Sequence, residues 1–204
     1  MPIELSKNTT RRDAVKRLAV LGALAFMPSV ALWPSPSGQP THFVGLGGAG
    51  FQLMPYFQKR LPEARFTCID RELPETEPEN MEFIRVNLSS NLSETIQTNF
   101  RSKDHYVLLA GLGGSTGTQL ATQLSSLLHQ NKQSFMTICS LPFTFQGAAM
   151  RSRAEQTAAR LSYLPGFHCL DLDEIGKPHG HLLIGEVFEK VDEAFYSKFL
   201  KLLH

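Results

Sequence analysis

The sequence predicts a three-layer α/β fold: a single domain built on a doubly wound, mostly parallel sheet with helices on both faces. Three observations carry that reading. From residue 41 onward, short apolar runs alternate with longer amphipathic ones. Two of the runs, His105–Ala110 and Ser134–Ser140, are nearly continuous in apolar residues, as expected of strands covered on both faces. Glycine clusters stand at two of the strand-to-helix junctions.

In chain order, strands are expected at His42–Gly45, Arg65–Asp70, Glu82–Val86, His105–Ala110, Ser134–Ser140 and Phe167–Leu172. Helices are expected at Ala49–Arg60, Ser93–Ser102, Thr116–Gln130, Ala148–Leu164 and Gly185–Leu203. The last helix carries Val187, Phe188, Val191, Ala194, Phe195, Phe199, Leu202 and Leu203 on one broad apolar face. Residues 71–81 (RELPETEPENM), rich in Pro and Glu, read as a surface loop. Cys68, Cys139 and Cys169 each lie in an apolar, strand-like stretch and are expected to be buried structural thiols.

The chain has 204 residues, with Lys+Arg 20 against Asp+Glu 19. That balance removes the usual argument for nucleic acid, which rests on an excess of cationic side chains. Three cysteines are too few for a cysteine-only zinc site. His179-Gly180-His181 offers two ligand-type side chains with nothing nearby to complete a site, so no metal is expected. Nothing resembles a nucleophile elbow.

Residues 1–40 differ in kind from the rest. Arg11-Arg12, with Lys16 four positions on, precedes an apolar run from Leu18 to Trp33 and a small-x-small site at Ser29-Val30-Ala31. This three-part pattern resembles a bacterial twin-arginine export signal. The run is shorter than the roughly 20 residues a spanning helix needs. The expected organisation is a signal segment at 1–31, a Pro/Ser linker at 32–40 and an α/β domain at 41–204. Localisation stays open: the signal points to export or membrane tethering through this segment alone, whereas the glycine clusters at 45–50 and 111–118 point to the cytoplasm.

Two glycine loops carry the chemistry. Gly45-Leu46-Gly47-Gly48-Ala49-Gly50 follows a strand and opens a helix, where backbone can approach a phosphate and the helix N-terminus offers free N–H groups. As a string it satisfies G-x-G-x-x-G, and Asp70 closes the next strand 20 residues after Gly50, as a ribose-binding acid does in dinucleotide folds. Read alone, this half supports an NAD(P)-dependent oxidoreductase. The second loop, Gly111-Leu112-Gly113-Gly114-Ser115-Thr116-Gly117-Thr118, can wrap a di- or triphosphate, with Thr116 and Thr118 adding hydroxyls. It lacks the G-K-[ST] of a Walker loop, and a simple dinucleotide enzyme does not need it.

These residues resemble the FtsZ/tubulin family. Gly113-Gly114-Ser115-Thr116-Gly117-Thr118 is similar to the tubulin signature G-G-G-T-G-[ST]-G. Leu141-Pro142-Phe143-Thr144-Phe145-Gln146-Gly147 is similar to the K-P-F-x-F-E-G that follows it in FtsZ, and Ala154-Glu155-Gln156 repeats that family's A-E-Q. The resemblance covers about residues 41–200. It implies GTP or GDP as ligand, with magnesium left open. It places Gly47, Gly48, Ala49 and Gly50, with Gly113, Gly114, Ser115, Thr116, Gly117 and Thr118, around the phosphates. Gln52 stands where FtsZ has an Asn near the base. Glu193 aligns with the acid that reads the guanine edge, with Asp192 as its close competitor. Gln146, at the Glu position of F-E-G, and Arg151, which with Arg153 lies near the aligned position of a ribose-contacting Arg, complete the candidate set.

The sequence also departs from the family. Gln146 replaces Glu, Met150 occupies the aligned position of the ribose-contacting Arg, and Gln119 replaces the last signature Gly. Residues 86–93 lack the Gly-Ala-Gly loop, and Cys169–Glu174 ends in acids where the family has a base-stacking Asn. The sequence ends at His204, about where FtsZ proceeds to its catalytic loop, so the resemblance implies binding with weak or no GTPase activity. The implied partners are guanine nucleotide and either a second copy or a filament-forming relative. A degenerate interaction module that binds no nucleotide remains the third reading.

Overall fold

The computed structural model describes residues 39–72, 74, 78–88, 99, 100 and 103–203. Among the described residues six strands form one sheet: β1 (Thr41–Leu46), β2 (Arg65–Asp70), β3 (Glu82–Arg85), β4 (His105–Gly111), β5 (Phe135–Leu141) and β6 (Phe167–Asp171). Their order is β3-β2-β1-β4-β5-β6 and every pairing is parallel. The predicted three-layer, doubly wound α/β fold is therefore observed. The strands match expectation to within one residue at either end.

The helices are α1 (Gly47–Gln58), α2 (Ser115–Gln130), α3 (Ala148–Leu161), α4 (Leu172–Gly176) and α5 (Ile184–Leu202). Helix α1 starts two residues before its predicted start, because Gly47 and Gly48 already take part in its first turn. The short α4 was not foreseen. Five residues show no helical period, and the element is started by the Asp171 carboxylate, which accepts from the Asp173 N–H at 3.0 Å. The expected helix at Ser93–Ser102, the signal segment and most of the linker fall on residues outside those described, apart from Asn99, Phe100, Gln39 and Pro40.

Alternation along the strands sends side chains to two cores. Phe43, Val107, Leu109, Met136 and Ile138 meet Leu53, Met54 and Phe57 of α1 and Val191, Phe195 and Phe199 of α5. Val44, Leu46, Leu108, Ala110 and Cys139 meet Leu120, Ala121, Leu124 and Leu128 of α2 and Ala154 of α3. Phe43 is fully buried, with the rings of Phe57, Phe66 and Phe199 at 5.1, 5.3 and 5.1 Å. At the amino end of the sheet, buried polar groups pair with one another: His42 Nε2 lies 2.7 Å from Thr67 Oγ1, and Arg65 donates to Asp104 at 2.9 Å.

One burial expectation is corrected. Cys68 and Cys139 are buried, but Cys169 is exposed. It belongs to β6, the outermost strand of the sheet, and a sequence window cannot show which strand lies at the edge. Among the described residues, no helix is long and apolar enough to cross a membrane.

Candidate functional site

The chain runs from β1 outward to β2 and β3, then returns to β4 on the other side of β1. That reversal lies between β1 and β4, and open α/β sheets bind ligands at such a point, beyond the carboxyl ends of the strands. The two glycine loops follow these two strands, so the topology brings them together. A cleft of about 600 Å³ opens there, walled by Leu46, Gly48 and Ala49 from the first loop and Gly111, Leu112, Gly114, Ser115, Thr116 and Gly117 from the second. Its far side is built by Ser140, Pro142, Phe145, Gln146 and Met150, with Leu172, Ile184 and Phe188.

The glycines divide into two kinds. Gly47 has φ +68, and a Cβ there would lie 2.8 Å from the Gly117 nitrogen. A Cβ on Gly117 would meet the Gly111 and Leu46 carbonyls at 2.8 and 3.1 Å, and one on Gly50 would meet the Leu109 carbonyl at 2.4 Å. Gly113, at φ +95, backs onto Met150 at 2.7 Å. These four let backbone pass backbone. Gly48 and Gly114 are different: a Cβ on either would meet nothing within 4 Å, and both residues line the cleft.

Helices α1 and α2 both open onto this cleft. Neither has a side-chain cap at its N-terminus nor an acid in its first turn. Among the described residues, none that lines the cleft is charged. The polarity there comes from backbone N–H groups, helix dipoles and the Ser115, Thr116 and Ser140 hydroxyls, a donor set suited to an anion.

The remaining predicted residues have other positions. Thr118 Oγ1 accepts from the Gly113 N–H at 2.8 Å and closes the second loop on itself. Arg153 fastens the same loop by donating to the Gly113 carbonyl at 3.1 and 3.3 Å. Gln146 lines the cleft and also accepts from the Phe143 N–H at 2.9 Å, through Oε1. Gln52 lies one turn beyond Gly48 on α1, and its Oε1 is buried with no hydrogen-bond partner among the described residues. Glu193 is exposed, pairs with Lys190 at 2.9 Å and does not line the cleft. Asp192 stands one helical turn after the cleft-lining Phe188.

Arg151 does not line the cleft either. It donates to both oxygens of Asp171 at 2.8 and 2.5 Å, to the Pro142 carbonyl at 2.9 Å and to Asp173 at 3.3 Å. Its hydrogen bonds hold the Asp171 carboxyl below the usual carboxylate range. It borders a second hollow of about 750 Å³, separated from the cleft by Phe145 and Ile184, which line both. Asp70 is not part of the cleft wall, and its carboxylate accepts from the Arg71 N–H at 2.7 Å.

Outside the motifs named from the sequence, the cleft residues that sequence reasoning missed are Ser140, Ile184 and Phe188. Phe188 reads as part of a packed helix and Ile184 lies just before that helix's expected start, and only the placement of α5 beside the cleft reveals them.

Solved structures with this fold are FtsZ from M. jannaschii, as an empty dimer, at TM-score 0.63 and 18% identity over 77% of this chain and 52% of that one. CetZ from Methanosaeta thermophila matches at 0.58 and 16%, over 80% and 54%. TubZ from Bacillus thuringiensis serovar israelensis, solved as GDP-form protofilaments, matches at 0.59 and 12%, over 80% and 55%. The chain spans about half the length of each. No family model and no curated protein matches it. At these identities the likeness establishes an FtsZ/tubulin-like fold.

Proposed function

We propose that the chain binds a guanine nucleotide, GTP or GDP, in the cleft between the two glycine loops. One observation carries this reading. Gly48 and Gly114 have ordinary backbone conformations and open space where a side chain would stand, so internal packing does not require them to be glycine. Each begins a helix whose N-terminus is uncapped and faces the cleft. Side chains there would fill the space that phosphate oxygens need. In the same reading Gly47, Gly50, Gly113 and Gly117 shape the cradle, and Ser115 and Thr116 donate hydroxyls. Gln52 offers an acceptor to the base, and the carboxylate for the guanine edge comes from Glu193 or from its neighbour Asp192, which stands one helical turn after the cleft-lining Phe188. Magnesium would come with the phosphates, since no carboxylate among the described residues lines the cleft.

Among the described residues, nothing lining the cleft can activate water: they present no carboxylate, imidazole or amine. Slow or absent hydrolysis is therefore expected of the chain by itself. TubZ, with this fold, was solved as protofilaments, and the corresponding partner here is a second copy or a filament-forming relative. Residues 1–31 act, in this reading, as an export or tethering signal.

Equilibrium binding of a fluorescent GTP analogue to the full chain, competed with GDP, ATP and NAD, tests the site. Competition by GTP and GDP alone is expected. Displacement by NAD, abolished by Asp70→Ala, would instead establish the dinucleotide reading. A ligand at 100 times its dissociation constant adds about 2.7 kcal/mol, so an unchanged melting temperature at millimolar GTP and GDP would mean an interaction module without a nucleotide.

A further inference from the structure

The cleft wall formed by Pro142–Gln146 has little regular structure of its own. It contains one 3₁₀ turn, Thr144–Gln146, between the end of β5 and the start of α3, and Phe145 on it is 68% exposed. Its backbone is nevertheless almost fully engaged. The Pro142 carbonyl accepts from Arg151, and the Phe143 N–H donates to Gln146. The Thr144 N–H donates to both oxygens of Asp173, at 3.1 and 3.3 Å, and its hydroxyl donates to the same carboxylate at 3.4 Å. Asp173 and Asp171 stand at the β6–α4 junction, and Asp171 orients Asp173 by accepting from its N–H. Arg151, from the first turn of α3, is forked into both carboxylates. A second pair of its bonds reaches Glu155 and Pro142. Three separate pieces of chain are thus clamped around one guanidinium, and the turn that they fix carries Phe145 and Gln146 into the cleft.

We infer that Arg151 is a positioning residue for the ligand cleft: through Asp171 and Asp173 it holds the Pro142–Gln146 wall in place and sets the cleft's affinity without touching the ligand. The affinity part of this inference rests on the proposed nucleotide site, whereas the clamp itself does not. A guanidinium is suited to the role because its planar fork can serve a carboxylate with two parallel bonds and a carbonyl with another, which an ammonium cannot. The stacked pair Phe143–Phe145, with centroids 4.9 Å apart, transmits the position of the anchored backbone to the ring that walls the cleft.

The test combines amide hydrogen exchange on the unliganded full chain with competition binding of GTP, GDP and guanosine. Variants are Arg151→Met, Arg151→Lys and Asp173→Ala. In Arg151→Met and Asp173→Ala, peptides covering 142–147 are expected to exchange at least about tenfold faster, while peptides from His105–Gly111 keep their protection. Affinity should fall by about the same factor for all three ligands, and the Arg151→Met/Asp173→Ala double variant should be no worse than the more affected single one. Arg151→Lys should recover only part of the protection. Unchanged exchange over 142–147 overturns the clamp. Faster exchange with unchanged nucleotide affinity overturns the positioning role. A loss that grows from guanosine to GDP to GTP overturns it in favour of direct phosphate contact. If the unmodified chain binds none of the ligands, the nucleotide reading fails, and the exchange result still decides whether Arg151 holds the wall. If Arg151→Met fails to fold, Arg151→Lys and Asp173→Ala carry the comparison.

Discussion

Gly47 and Gly117 lie back to back, so close that a methyl group on the first would stand 2.8 Å from the nitrogen of the second. This contact locks the two glycine loops together at the mouth of the sheet. The cleft is therefore preformed by backbone packing, and its shape depends on residues with no side chain.

Substitution at this contact should damage the fold. Gly47→Ala forces a left-handed conformation on an L residue, which costs about 1–2 kcal/mol, and adds a steric clash of similar size. Gly117→Ala pushes a methyl into two carbonyl oxygens. Each is expected to lower unfolding free energy by about 2–4 kcal/mol in urea titrations. A loss below about 0.5 kcal/mol for both would show that the loops can part without penalty.

The cleft-facing glycines should behave in the opposite way. Gly48→Ala adds a methyl within a helix and is expected to leave stability unchanged or raise it by up to about 1 kcal/mol. Gly114→Ala, at an N-cap, should cost at most about 1 kcal/mol. Both should weaken binding of the fluorescent GTP analogue by an order of magnitude or more. Full binding in both variants would remove the main support for the phosphate cradle.

Acid sensitivity should report the Asp171–Arg151 pair. The folded carboxyl titrates below its unfolded value of about 3.9, so its stabilisation is complete above roughly pH 4. It is lost as pH falls through the folded value. Stability curves for the unmodified chain and Asp171→Asn should run parallel between about pH 5 and 8 and converge below about pH 4. Curves that stay parallel under acid would exclude a native-state shift at this carboxyl.

Thiol labelling should separate the three cysteines. Cys169 is exposed, yet its surroundings desolvate the sulfur and push its pKa up to about 11. Burial raises Cys68 to about 12 and Cys139 well above the usual range. Iodoacetamide at pH 8 should modify Cys169 alone in the native chain, and slowly, because little thiolate is present. Rapid labelling of Cys68 or Cys139 before unfolding would contradict the packing of β2 or β5.

The strands were legible because apolar runs such as His105–Ala110 must be buried from both sides, whatever the rest of the chain does. The glycine loops were legible for a similar reason: close passage of backbone requires residues without side chains, and their spacing shows in the string. Less could be read from Cys169, since its apolar neighbours resemble those of Cys139 and only the strand order leaves it at an edge. Glu193 was singled out by alignment with a pattern and Arg151 as the neighbour of the aligned Met150, but a helix turns by about 100° per residue, so an offset of one position changes the face that a side chain occupies. Thus Glu193 is exposed, and Asp192 follows Phe188 by one turn.

The sequence by itself determined the layers, the parallel sheet and the presence of two backbone-lined loops, because these follow from local period and from residue size. The tertiary structure alone decided which glycines pack and which open onto the cleft, and where Arg151 sends its guanidinium. Those outcomes depend on atoms distant in sequence, such as the nitrogen of Gly117 behind Gly47 and the carboxylates of Asp171 and Asp173 beside Arg151, and no local pattern encodes their positions.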